Sequence, residues 1–129
     1  MERMLGRHRD LIFAAMRFVV GALFACHGAQ KALGLFGGKM LTEQPPLMQA
    51  AGLIELVGGV LVAIGLFTSI AAFVASGQMA AAYFMVHASG GFWPIENKGE
   101  LAVVYCFVFL FIAAHGSGAL SLDHAMRRR

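Results

Sequence analysis

The sequence predicts an all-α integral membrane protein, an up-down four-helix bundle with both termini in the cytoplasm. Three observations carry this. First, 59% of the 129 residues are hydrophobic and 13% charged, whereas a soluble domain is about half apolar and about a quarter charged. The mean hydropathy is +0.72. A water-soluble chain this short leaves roughly a third of its unfolded surface exposed, too much to hide such a composition. Second, the apolar residues fall into four stretches of membrane-crossing length. Third, six of the ten Lys+Arg lie in two tails, Arg3, Arg7 and Arg9 before the first stretch and Arg127, Arg128 and Arg129 at the end. Flanking apolar segments, such clusters set orientation in a bilayer. Soluble enzymes, nucleic-acid modules and disordered tails are poor readings, and no nucleic-acid partner is expected.

The first span runs over residues 11–36, interrupted by Arg17, His27, Gln30 and Lys31. A polar turn with Gly37, Gly38, Pro45 and Pro46 leads to the second, 47–67, and Thr68-Ser69 connects it to the third, 70–88. A loop with Trp93, Asn97 and Lys98 precedes the fourth, 100–118. About 20 helical residues cross a bilayer core. Four crossings put both arginine tails on one side, leaving Lys39 and Lys98 in the outer loops. The expectation is a membrane crossed several times by a single domain spanning residues 1–129. A signal peptide resembles the start, but Arg17 falls inside its apolar region. Gly37-Gly38-Lys39 is no phosphate loop, since Met40 stands at the Ser/Thr position.

Ionisable groups at membrane depth cost several kcal/mol, so each needs a partner or a wet cavity. At about 100° per residue, Arg17, Gly21, Phe24, Gly28 and Lys31 form one stripe of the first span, with His27 at its edge. Gly52, Glu55, Gly58, Gly59 and Val62 share a face of the second, aiming a carboxylate at a closely approaching helix. Glu100, Val104, Phe107 and Phe111 form a stripe on the fourth. By depth, His27, Lys31, Glu55, His87 and Glu100 are expected to converge in the outer half of the bundle. Arg17 is expected to meet Asp123 near the inner surface as a structural ion pair.

Two readings of the outer group stand level. Glu55 with Lys31 or His27 is either a satisfied buried pair, or part of a site for a polar head whose tail lies in lipid. A quinone suits the second, because its carbonyls accept hydrogen bonds and its reduction consumes protons that His or a carboxylate can pass on. Gln78 reads as an interhelical hydrogen bonder, and Tyr83 as packing or lipid contact. Cys26 and Cys106 read as small apolar fillers, with a redox dithiol as the alternative. His27 and His87 match a haem axial pair only loosely. No metal site is expected.

The order of features resembles the DoxX family of small bacterial four-helix membrane proteins. It lies in Arg17 and Gly21 with His27-Gly28-x-x-Lys31, and in Gly52-x-x-Glu55-x-x-Gly58-Gly59. Asn97-x-Gly99-Glu100 and Gly116-x-Gly118 followed by Ser121-Leu122-Asp123 complete it, and Lys98 departs from the glycine frequent in that loop. The resemblance implies a redox-linked subunit of a bacterial inner membrane, since relatives include small subunits of a thiosulfate:quinone oxidoreductase and partners of stress enzymes. Protein partners of that kind, a homo-oligomer and a quinone cofactor are the matching expectations. Whether the chain itself is catalytic is left open. The alternative function is a non-catalytic scaffold or chaperone-like partner that recruits redox enzymes.

Overall fold

A computed structural model describes all residues, Met1–Arg129. Seven α-helical segments follow one another with no β-strand: α1 (Glu2–Leu5), α2 (Arg9–Ala32), α3 (Pro46–Ile64), α4 (Thr68–Ala82), α5 (Pro94–Asn97), α6 (Glu100–His115) and α7 (Leu122–Arg127). The four long ones, α2, α3, α4 and α6, form the bundle. With its continuation to Gly90, α4 is one of three helices long and apolar enough to cross a membrane, beside α2 and α3, while α6 is apolar but shorter.

Helix ends follow local backbone chemistry more closely than apolarity. The first span is apolar through Phe36, yet α2 stops at Ala32. Gly34 (φ +68°), Phe36 (φ +50°) and Gly37 (φ +77°) take left-handed backbone there, which a right-handed helix cannot continue through. Pro46 opens α3 at its first turn, where a missing N–H costs nothing. At its other end Gly65 adopts φ +74°. Leu66 N–H then donates to Leu61 O and Gly65 N–H to Val62 O, closing the last carbonyls. Beyond Ala82, α4 loosens into one π-helical turn, Tyr83–His87, and a 3₁₀ turn, Ala88–Gly90. The fourth helix ends at His115, short of residue 118, at Gly116 (φ +89°).

The bundle is built as two close pairs. Between α2 and α3 the contact is backbone on backbone: a Cβ on Gly21 would lie 2.5 Å from Ala63 N, and one on Gly28 would overlap Leu56. Between α4 and α6 the filler is alanine against aromatic rings: Ala72, Ala75, Phe109 and Ile112 are fully buried. Phe24 of α2 reaches across to pack on Phe109 and Tyr105, at ring separations of 4.7 and 5.6 Å. Only 26 of 129 residues are buried, while large residues such as Phe18, Ile70, Phe73, Phe84 and Phe107 are more than half exposed. Apolar surface on this scale is a lipid-facing surface.

Candidate functional site

At the end of the bundle opposite the two termini the helix pairs part, leaving a cavity of about 390 Å³ to which all four long helices contribute. Its apolar wall includes Phe24, Met79 and Ala102, and its rim includes Leu47, Met85 and Leu101, all three more than half exposed. The polar groups come from every element: His27 and Lys31 from α2, Glu55 from α3, Gln78 and His87 from α4 and its continuation, Lys98 and Tyr105 from the α5–α6 region.

Glu55 is the centre. Flanked on its face by Gly52 and Gly59, it faces inward and is 1% exposed. Lys31 Nζ donates to its Oε1 at 2.6 Å, and Gln78 Nε2 donates to the same oxygen at 2.9 Å. Oε2 of Glu55 and Oε1 of Gln78 are buried without a donor. Lys31 sits higher, its side chain 26% exposed, and its backbone carbonyl accepts from Gln44 Nε2 of the loop before α3. His27 is exposed, its ring edge-on to Tyr105 at 6.2 Å.

A polar brace holds the rim. Asn97, 8% exposed, donates to Gly91 O at 2.8 Å and to Tyr83 Oη at 3.2 Å, and accepts from Gly99 N–H at 2.8 Å. Tyr83 in turn donates to Phe92 O. The π turn ends on His87, whose Nδ1 lies 3.2 Å from Asn97 O. Tyr83 is therefore an internal strut, buried and doubly hydrogen-bonded, with no lipid contact of note.

Of the five residues expected to converge, His27, Lys31, Glu55 and His87 line the cavity and Glu100 does not. Glu100 is exposed at the start of α6, against a shallow outer groove with Pro94 and Ile95. The stripe drawn through it is the wrong one: Val104, Phe107 and Phe111 face outward, and the inward face carries Ala102, Tyr105, Phe109 and Ile112. Tyr105 and Lys98 were not anticipated. A lone tyrosine in step with Ala102 and Phe109 was the available signal for the first. Gln78 is the interhelical hydrogen bonder the sequence predicts, its bond made from α4 to the central carboxylate on α3.

The inner ion pair is also corrected. Arg17 and Asp123 make no contact within 4 Å, because each finds better partners. Arg17, 4% exposed, donates from Nε to Val62 O at 3.0 Å, from Nη1 to Ser117 O at 2.5 Å and from Nη2 to Leu120 O at 2.8 Å. The guanidinium thereby closes carbonyls at the end of α3 and in the segment after α6, using the planar fork a lysine lacks. Asp123 caps α4, accepting from Phe67 N–H at 2.9 Å, Thr68 N–H at 3.0 Å and Thr68 Oγ1 at 2.9 Å. Burial raises its pKa, but these hydrogen bonds and the charge of Arg127 outweigh that and hold it below the usual carboxylate range.

Fold and site together define a multi-pass helical membrane protein with a buried charged cluster beside an apolar cavity. Comparison with known proteins agrees: the DoxX family model matches residues 12–88. An uncharacterised protein of Haemophilus influenzae is 42% identical over 127 residues, covering 93% of this chain and 94% of that one. The chain belongs to the DoxX family. No solved structure matches it.

Proposed function

We propose that the chain is an integral subunit of a quinone-linked redox or thiol- and oxidative-stress complex in a bacterial inner membrane. Its cavity takes a polar head with a hydrocarbon tail, and a quinone is the ligand that fits best. The single observation carrying this reading is Glu55, a 1% exposed carboxylate with two donors crowded on one oxygen and none on the other. A pair kept only for structure would be expected to satisfy both oxygens, since an unpaired buried acceptor costs about 1–3 kcal/mol. Membership of the DoxX family, with its quinone-linked relatives, points the same way.

The residues suit that head. The apolar wall accepts a ring, and Lys31, Lys98, Tyr105 and the two imidazoles offer donors to carbonyl oxygens. A bound quinone supplies two-electron, two-proton redox chemistry. The chain supplies orientation and proton-holding groups that differ in burial, Glu55 enclosed and His27 exposed on the flank of α2. Mass spectrometry of the detergent-purified protein is expected to find quinone retained stoichiometrically, and Glu55→Gln to abolish quinone-linked activity in membranes. Retention of bulk phospholipid alone, with full activity in Glu55→Gln, overturns the reading.

The exposed tail Arg127–Arg129 favours a second reading, a non-catalytic scaffold recruiting cytosolic enzymes. Deleting the three arginines then abolishes partner recovery, while Glu55→Gln changes folding alone.

A further inference from the structure

Once the hydrogen bonds within the chain are counted, two buried acceptors beside the cavity remain over, Glu55 Oε2 and Gln78 Oε1. They belong to one cluster, because Gln78 Nε2 bonds Glu55 Oε1, and both side chains line the cavity. The charged donors are not buried with it: Lys98 and His27 are exposed and the Lys31 side chain is a quarter exposed. Among the buried lining residues Tyr105 alone carries a free donor, and its hydroxyl accepts as readily as it donates. The asymmetry decides which groups discriminate between ligands: an unpaired group near water loses little, and a dry one loses its full desolvation cost. The inner end of the cavity is thus an acceptor surface.

We propose that this end recognises a head that donates a hydrogen bond, and therefore selects the dihydroxy, reduced form of a quinone over the dicarbonyl, oxidised form. The identity of the ligand rests on the quinone reading above, whereas the donor rule comes from the two acceptors alone. Paired with Lys31, the Glu55 carboxylate is acceptor-only. A hydroxyl of the reduced head gives it a proton donor, while a carbonyl sets acceptor against acceptor. The terminal torsions of Glu and Gln are broad, so a small turn presents either oxygen to the cavity. Sites built to pair a substrate hydroxyl reject analogues lacking it far more strongly than apolar pockets reject a missing methylene.

The test uses the full chain in detergent under anaerobic conditions, titrated by calorimetry with a short-tailed benzoquinol, the matching benzoquinone and the quinol dimethyl ether. The quinol is expected to bind at least roughly tenfold more tightly than either of the others. Gln78→Met, which keeps volume and removes one acceptor, is expected to shrink that ratio several-fold. Equal or tighter binding of the quinone or the dimethyl ether overturns the proposal, and needs no variant to be read. Monooleoylglycerol, a hydroxyl-headed lipid with no redox chemistry, separates the two layers. If it binds and neither quinone form does, the donor rule stands and the quinone reading falls. If no probe binds, the donor rule falls as well.

Discussion

The Lys31–Glu55 pair joins a residue that can reach water to one that cannot. Lys31 carries its ammonium on a four-carbon stem near the cavity mouth, and without its partner it can swing outward along apolar surface. Glu55, 1% exposed on a face lined by glycines, has no such escape. Truncating the lysine should therefore cost more than neutralising the acid. Lys31→Met at neutral pH is expected to lose about 3 kcal/mol, and Glu55→Gln about 1 kcal/mol. Thermal unfolding in detergent followed by circular dichroism reads the difference, and equal losses would mean that water already reaches Glu55. Both partners were visible in the sequence, because a charge in step with glycines on an otherwise apolar helix has one reason to face inward. Glu100 was misplaced for the opposite reason. It stands in the first turn of a helix whose other residues are almost all apolar, so periodicity offered no contrast to tell the packed face from the lipid face. The same absence of contrast concealed Tyr105.

Among the elements, the α2–α3 pair depends on glycines differing sharply in their surroundings. A Cβ on Gly28 of α2 would overlap the backbone of Leu56, whereas one on Gly58 of α3, which the sequence places on the face of Glu55 and Gly59, meets nothing within 4 Å. Gly28→Ala is expected to separate the helices and cost several kcal/mol, because backbone cannot yield as a side chain can. Gly58→Ala is expected to stabilise by roughly 0.5–1 kcal/mol through helix propensity. Thermal midpoints of the two variants should move in opposite directions, and a shared direction refutes the close approach. Asp123 ties α7 to the start of α4, and its sign is fixed by its depressed pKa. A carboxylate depressed on folding adds stability above its unfolded pKa and loses it as pH falls through the folded one. Acid titration of unfolding midpoints should show that loss in the parent chain and a flatter profile in Asp123→Asn, which is also less stable at neutral pH. Unchanged profiles in the two proteins would remove the cap from the argument. The helices were legible in the sequence, their ends less so. Leu33–Phe36 and Gly116–Gly118 are apolar or small, so hydropathy ran on where left-handed glycines had already stopped the helix.

For the molecule as a whole, polar chemistry divides between its two ends. One end carries both termini together with the Arg17 fork and the Asp123 cap, whose bonds go mainly to backbone groups. The other carries the cavity, the Lys31–Glu55 pair and two unpaired acceptors. This division was half legible: charge counts separated arginine-rich tails from lysine-bearing loops, but only geometry showed that Arg17 prefers three carbonyls to an acid. Three helices reach crossing length and α6 is shorter; the arginine bias predicts that α6 crosses as well, with the termini in the cytoplasm and the cavity on the opposite side. The consequence is checkable with single cysteines in a chain whose Cys26 and Cys106 are changed to alanine. Cysteines at Lys39 and Lys98 should react with an impermeant maleimide in intact spheroplasts, and cysteines at Arg3 and Arg127 only after the membrane is opened. A fully reversed pattern would move the cavity to the cytoplasmic half and make cytosolic donors its natural partners. Labelling of positions 3 and 39 from the same side would be the graver result, since the first helix would then not cross and a buried Glu55 would lose the lipid setting that makes its unpaired oxygen so costly.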